Sequence, residues 1–392
     1  MAYIKYILPA LAATQLAFAA ECGDTTISSQ SDADGIATCT KISGDITIDE
    51  SFSGSLSISG VEKITGTLTC TGGENVTDIT ASSLESIGKK FYLNGLTRLT
   101  QLSFSELTTI GSIDWEALPK LQTIDFTTIT DVNDVSIANT GLTSLEVSLT
   151  SVNQFQIQNN RDLKTINVND LKNATDLINF SGNYDSLEVA FPNLGTGTNM
   201  TFTNISSVSI PSLEKLTGQL GFWSTQFTTF YAPNLTTTGD LVFTGNSELK
   251  NITMDKLTKV DGGFTISRND KLRTIEVPNL ETVTGAIDFS GKFNTVDMDS
   301  LEDVEGGFNL QSTDGNFSCS TFKKMQEDNV IKGTYKCAAN TSDPTTANGK
   351  SGTTSGSSSS SSSTSSGAAV ANGAALPVAG LAALFYGLAQ LL

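Results

Sequence analysis

Histidine is absent from all 392 residues. The side chain that titrates nearest neutrality, and that most often serves as general base or metal ligand, is therefore missing. Ser-His and Cys-His nucleophile systems and most zinc sites go with it. Basic residues are scarce too: 23 Lys and Arg face 41 Asp and Glu, leaving a net charge of −18. Such a chain cannot neutralise nucleic-acid phosphates and is repelled by anionic bilayer surfaces. Charged residues of both signs make up 16% of the chain, against roughly a quarter in an ordinary soluble domain. Surface polarity must then come from Ser, Thr, Asn and Gly, which suits an exterior dressed with sugar. Tryptophan occurs twice, at Trp115 and Trp223, so platforms for stacking sugar rings are few. No cofactor is expected.

What is present begins at the two ends. Residues 1–19 read as a secretory signal peptide: Lys5 is the positive n-region, Tyr6–Leu16 the apolar h-region, and Ala17-Phe18-Ala19 the small-residue cleavage site. A membrane anchor would need a longer apolar run. At the other end, the tract SGTTSGSSSSSSSTSSG (Ser351–Gly367) is followed by small residues and then by LPVAGLAALFYGLAQLL to Leu392. Small residues, a spacer and an uncharged apolar tail form the signal for a glycosylphosphatidylinositol (GPI) anchor. A transmembrane helix is the alternative, but the 17 residues from Leu376 include Pro377, Gly380 and Gly387 and lack a basic stop. Asn372 is the favoured ω site, with Ser366 and Gly367 as alternatives that leave a more usual spacer. The expected organisation is a signal peptide (1–19), a folded ectodomain (20–340), a Ser/Thr-rich stalk (341–367) and the attachment region with its removed propeptide (368–392). The lipid bilayer is then a partner only through the anchor.

Cysteine suits an oxidising compartment. Cys22 and Cys39 form one close pair and Cys319 and Cys337 another, at opposite ends of the ectodomain, and two disulfides are expected there. Metal ligation is the alternative, yet Cys-x2-Cys spacing and histidine partners are both missing. Sequons for N-glycosylation stand at Asn75, Asn173, Asn179, Asn199, Asn204, Asn234, Asn251, Asn316 and Asn340. The Thr341–Ser366 tract reads as an O-glycosylated stalk, because it has nothing with which to build a core.

Between the ends runs a period of about 22 residues. Anchor leucines recur at Leu84, Leu107, Leu149, Leu171, Leu194, Leu213, Leu235, Leu257, Leu280 and Leu301, with Ile129 marking one further unit. The last five fall 22, 22, 23 and 21 residues apart, and a fixed period of this kind is the signature of a solenoid. After each anchor comes a turn, often Gly, and then an alternating apolar pair such as Leu220 and Phe222, Leu241 and Phe243, Phe264 and Ile266, or Ile287 and Phe289. That alternation predicts a half-buried strand. A second short stretch follows, as in Leu249-Lys-Asn-Ile252-Thr-Met254 and Leu121-Gln-Thr-Ile124-Asp-Phe126. Asn139, Asn160, Asn246 and Asn269 precede that stretch. Asparagine tolerates the left-handed turn and can satisfy backbone groups there, which suggests a stacked asparagine ladder in preference to a ligand site.

The fold expected is all-β: a right-handed parallel β-helix or leucine-rich-repeat-like solenoid of about twelve rungs. No helix-length apolar periodicity interrupts the rungs. Disulfide-clipped loops would cap the exposed edge strands. Cys70 lies where Phe222, Phe243, Ile266 and Phe289 lie in their rungs, so it is expected to point inward as a small hydrophobe; a reactive surface thiol is the alternative. Units near Asn133 and Gln154 lack the usual glycine.

The segment TISSQSDADGIATCTKISGDITI (Thr26–Ile48), rungs of type L-x-x-[VI]-x-G-x-[LIF]-x-[FI], the terminal cysteine pair and the Ser-rich tail together resemble the fungal GPI-anchored cell-wall organisation glycoproteins. These include the protoplast-secreted and sporulation-specific wall proteins, and their repeats are similar to receptor L-domains. The resemblance implies a role in building the wall, residence at the plasma membrane or in the wall, extensive mannosylation and cell-wall polysaccharide as a partner. It supplies no catalytic residues.

Three functions compete: a non-enzymatic wall glycoprotein, a glycan- or protein-binding module using the sheet face, and a wall-remodelling glycosidase or transglycosidase. The last needs two carboxylates about 5 to 9.5 Å apart in a cleft. No motif isolates such a pair, and most acidic residues, Glu276 and Asp288 among them, read as solvated rung positions. A glycan-binding face would align outward aromatics, for which Tyr92 and Trp223 are candidates.

Overall fold

A computed structural model describes residues 20–124 and 128–354. The signal peptide, the ω-site candidates Ser366, Gly367 and Asn372, and Asp125 and Phe126 of the Leu121 stretch lie outside them. The chain winds as a parallel β-solenoid of about thirteen turns, one more than the period suggested. One long sheet of 23 strands forms the principal wall, and three short sheets follow one another along a second wall.

Alternation in the sequence becomes alternation across that wall. In the strand Leu241–Thr244, Leu241 and Phe243 are fully buried while Val242 and Thr244 lie on the outer side. Parallel pairing sets Phe222 beside Phe243, Phe243 beside Ile266 and Ile266 beside Phe289. The same column runs back through Phe202, Phe180, Ile157, Ile137, Trp115 and Leu93 to Cys70. Rings touch along it: Phe202 stacks on Phe222 at 5.5 Å and Phe222 on Phe243 at 5.1 Å. Aromatic pairs of this kind add about 0.5–1.5 kcal/mol beyond area burial. Every anchor leucine is buried, as is Ile129. At seven of these anchors the amide closes a turn on the carbonyl three residues earlier, as from Leu257 to Met254 and from Leu280 to Val277.

Two columns of special backbone let the rungs stack. Glycines precede the inward pair because successive turns approach closely there. A Cβ on Gly285 would lie 2.6 Å from the Gly262 carbonyl, and one on Gly306 2.5 Å from that of Gly285. Near Asn133 and Gln154, where this glycine is missing, the rung is a continuous strand, Asp131–Thr140 or Ser151–Gln158, as it also is at Ser86–Asn94 and Thr109–Leu118, which keep Gly88 and Gly111. The far ends of ten successive rungs turn through a left-handed residue: Gly72, Gly95, Ala117, Asn139, Asn159, Gly182, Asn204, Ser224, Gly245 and Arg268 all have φ between 52° and 77°.

The asparagine ladder exists, shifted by one residue from the left-handed column. Asn160 and Asn183 form one segment, Asn246 and Asn269 another, all buried. Each side-chain amide donates to a strand carbonyl of the preceding rung: Asn160 to Ile137 at 3.0 Å, Asn183 to Ile157 at 2.8 Å, Asn246 to Phe222 at 3.2 Å and Asn269 to Phe243 at 2.9 Å. Each Oδ1 accepts an amide N–H from that rung, as Asn246 does from Thr225 and Asn269 from Asn246. Asn139 is not a member. It takes the left-handed turn itself and is exposed, while Thr140 occupies the ladder position beside Asn160.

Each end carries a disulfide, Cys22–Cys39 and Cys319–Cys337, and each bridged loop holds one short helix, Gln30–Gly35 or Ser320–Glu327. The Gln30 side chain blocks the open edge of the first short sheet: Nε2 donates to the Ser57 carbonyl at 2.8 Å, and Oε1 accepts the Ser57 N–H at 2.9 Å. An amide imitating a neighbouring strand satisfies the edge groups that would otherwise recruit another chain.

The ordered wall also runs past residue 340, where composition placed the start of the stalk. Residues 343–354 fold back over the outer face of the long sheet. Thr345 accepts from Asn309 at 2.9 Å and Gln311 at 2.7 Å, Ala347 N–H donates to Asp288 at 2.9 Å, and Gly352 accepts the Arg268 N–H at 2.7 Å. Beneath this strap Asp288, Ser290, Asn309 and Gln311 are buried. Asp288 is therefore not the solvated position that alternation implied; its outward side is covered by a segment 59 residues downstream.

Because rung spacing at the glycine column leaves no room for a methyl group, Gly285→Ala is expected to cost about 1–3 kcal/mol of stability. Gly35→Ala, where nothing lies within 4 Å of the added carbon, is expected to be neutral or slightly stabilising. Denaturant unfolding of the two variants checks the contrast.

Candidate functional site

The outer face of the long sheet is the broadest surface the fold offers. Its central column reads Thr69, Tyr92, Asp114, Ser136, Gln156, Asn179, Thr201, Gly221, Val242, Thr265, Asp288 and Asn309 from rung to rung. Tyr92 has no aromatic neighbour in that column. Trp223 belongs to the next one, beside Thr203 and Thr244. The two candidate platforms are thus not aligned. Trp115, the other tryptophan, points inward and is 1% exposed. Its parity was legible, since Ile113-Asp-Trp115 is the same inward pair as Leu220-Gly-Phe222.

Polar side chains on this face are tied to one another. Lys90 and Asp114 pair at 3.0 Å, and the Lys90 ammonium stands 5.5 Å from the Tyr92 ring centroid. The Asn94 amide donates to Glu116 and to the Tyr92 hydroxyl, each at 3.2 Å. Gln158 donates to Gln156, Gln156 to Gln154 and Gln154 to Asp176, in a row at 3.4, 3.0 and 2.7 Å. Among these groups the carboxylates serve as acceptors in a surface lattice. Glu276, on the second wall, accepts from Thr253 at 3.1 Å. A small cavity near Trp115 is lined by apolar side chains, Phe91, Leu102, Phe104 and Ile129 among them.

None of the nine sequon asparagines is buried, whereas all the ladder asparagines are. Asn75, Asn316 and Asn340 are exposed and the other six half-buried. Their side-chain nitrogens, the atoms that would carry sugar, are not equivalent. Asn234 Nδ2 donates to the Pro211 carbonyl at 2.8 Å, Asn204 Nδ2 to Asp185 at 2.8 Å, and Asn199 Nδ2 to the Asp176 carbonyl at 3.4 Å. Asn173 and Asn179 are held by their oxygens, which accept from Thr196 at 2.8 Å and Thr201 at 3.2 Å.

Cys70 occupies the core column between Ile48 and Leu93. It is fully buried. Burial, with the nearby Asp49 charge adding to it, pushes its thiol up to about 11. A thiol raised in this way stays neutral, and the thiolate is the reactive form. The native chain is expected to resist maleimide at pH 7 and to take up one equivalent once unfolded. A folded-state pKa above the unfolded one favours folding fully below about pH 9, and that contribution is lost as pH rises through about 11. Rapid labelling of the folded chain at neutral pH would contradict this placement.

Comparison with known proteins accords with the geometry. Residues 1–37 match the model described as "Ecm33: GPI-anchored cell wall organization protein". Residues 69–184 and 193–294 match six copies of a BspA type leucine rich repeat region. Protein ecm33 of Aspergillus fumigatus is 58% identical over 396 aligned positions, covering 100% of this chain and 99% of the relative. A cell surface GPI-anchored protein of Arthroderma benhamiae is 43% identical over 356 positions, 90% of this chain and 92% of that one. Cell wall protein ecm33 of Schizosaccharomyces pombe is 33% identical over 238 positions, 59% and 56% of the two chains. With a full-length likeness on a solenoid of the matching repeat type, the chain belongs to the Ecm33 family of fungal GPI-anchored cell wall organization proteins.

Proposed function

We propose that this chain supports cell-wall organisation as a non-enzymatic glycoprotein, acting through its rigid solenoid, its glycans and its anchor. Processing removes residues 1–19 and the tail beyond the ω site, Asn372 or the alternatives Ser366 and Gly367. The product stands on the outer face of the plasma membrane and in the wall. Wall polysaccharide is its partner, joined covalently through an anchor remnant or held at the surface. The nine sequons carry sugar over a wall whose own charge is strongly acidic.

One observation carries the non-enzymatic reading. Four outward carboxylates along the long sheet are held by structural partners: Asp114 by Lys90, Glu116 by Asn94, Asp176 by Gln154 and Asp288 by the strap. Acid–base hydrolysis of a glycoside instead needs two carboxyl groups converging on one bond, with their proton affinities driven apart. The second reading, a glycan- or protein-binding face, draws on the open amide row Gln154, Gln156 and Gln158.

The test uses cells lacking the chain and stressed with wall-perturbing dyes. The full chain is expected to restore growth, and Asp114→Asn with Glu116→Gln in one chain is expected to restore it equally. Purified protein incubated with wall glucan or chitin is expected to release no reducing ends. Loss of rescue by the folded double variant, together with release of sugar by the parent, would overturn the reading.

A further inference from the structure

Trp223 is the one tryptophan on the outer face, half-buried there while Trp115 is sealed in the core. Its indole does not project from the sheet. The six-membered ring folds back along its own strand and covers Gly221, where a Cβ would stand 2.1 Å from Cη2 and 2.3 Å from Cζ3. Only glycine leaves that space, so Gly221 and Trp223 form a shelf with one aromatic face on the backbone and the other outward. The shelf closes the central column at the Gly221 position. Asn179 lies in the same column two strands away, through Thr201. At ordinary strand spacing that separation is roughly 10 Å.

We propose that the outward face of Trp223 seats the first sugar of a glycan carried by Asn179, so that the shelf is a binding site for the protein's own saccharide. This rests on the reading of Asn179 as a glycosylation site. Three features support the match. Asn179 Oδ1 accepts from Thr201 Oγ1 at 3.2 Å, on the side toward Trp223, which fixes the amide while Nδ2 holds no bond within the lattice of the face. Thr201 between them is small, so a ring can lie across it. The C–H face of a pyranose is apolar and weakly positive, and it complements the negative face of an indole.

Asn204 is the nearer competitor, since its backbone N–H donates to the Trp223 carbonyl at 3.0 Å. Its side chain turns the other way, with Nδ2 on Asp185 at 2.8 Å, and the indole leans from that turn toward Gly221. The site therefore takes an N-acetylhexosamine from Asn179, and it converts a flexible modification into part of the wall's surface.

The experiment uses the full chain from a glycosylating fungal host, with glycopeptide mass spectrometry to read occupancy at Asn179. Acrylamide quenching of tryptophan emission reads the shelf, and Trp223→Phe supplies the contribution of Trp115 alone. Trimming the glycan to its first sugar is expected to leave quenching unchanged. Ser181→Ala, which abolishes the sequon and spares the Asn179–Thr201 bond, is expected to raise quenching of Trp223 at least twofold. Ser206→Ala, which removes the Asn204 sequon, is expected to leave it unchanged. Occupied Asn179 with equal quenching in parent and Ser181→Ala would overturn the proposal alone. Unoccupied Asn179 would overturn it together with the glycosylation reading at that position. A rise with Ser206→Ala instead would assign the shelf to the other glycan and overturn it too.

Discussion

A rung of this solenoid cannot bury its own apolar side chains, so each must lie in register against the rungs above and below. The column from Cys70 through Trp115, Phe202 and Phe243 to Phe289 is the physical result. Other features of the wall serve that register. Glycines permit the close approach of successive turns, left-handed residues end ten successive rungs, and buried asparagines occupy donors and acceptors that the turns leave open. The ends of a stack lack a neighbour on one side. Disulfides, two short helices and the Gln30 amide meet that need, and they are found nowhere else among the described residues.

A stack held from within leaves its outside free to carry chemistry of another kind. Amides, hydroxyls and paired charges cover the long sheet, and the sequon asparagines all lie toward solvent while the ladder asparagines are hidden. The same residue type is thereby sorted into two roles by rung position. The strap of residues 343–354 couples the two halves of this design. It ties residues 345–347 onto the outer face over Asp288, Asn309 and Gln311.

Much of this was legible in the residues. The period gave the solenoid, and alternation gave the core column, including the odd cysteine. The close cysteine pairs gave the two bridges. What stayed hidden was of two kinds. The ladder was misplaced by one residue at Asn139, because asparagine suits both the left-handed turn and the amide ladder, and only coordinates separate Asn139 from Thr140 and reveal Asn183. The strap was invisible because Ser, Thr, Asn and Gly read as stalk whatever they touch. Its one trace, polar residues at the outward positions of adjacent strands, is indistinguishable from a wet surface. Trp115 was legible by parity and could have been set apart from Trp223 on that ground.

Amide hydrogen exchange on Phe243→Ala tests the stack most directly. In a quasi-one-dimensional array a lost core side chain weakens its neighbours first. The account predicts a loss of protection in the strands Leu220–Trp223 and Phe264–Ser267, fading to parent values by Leu68–Thr71. Equal loss in every strand, or loss confined to Leu241–Thr244, would contradict it.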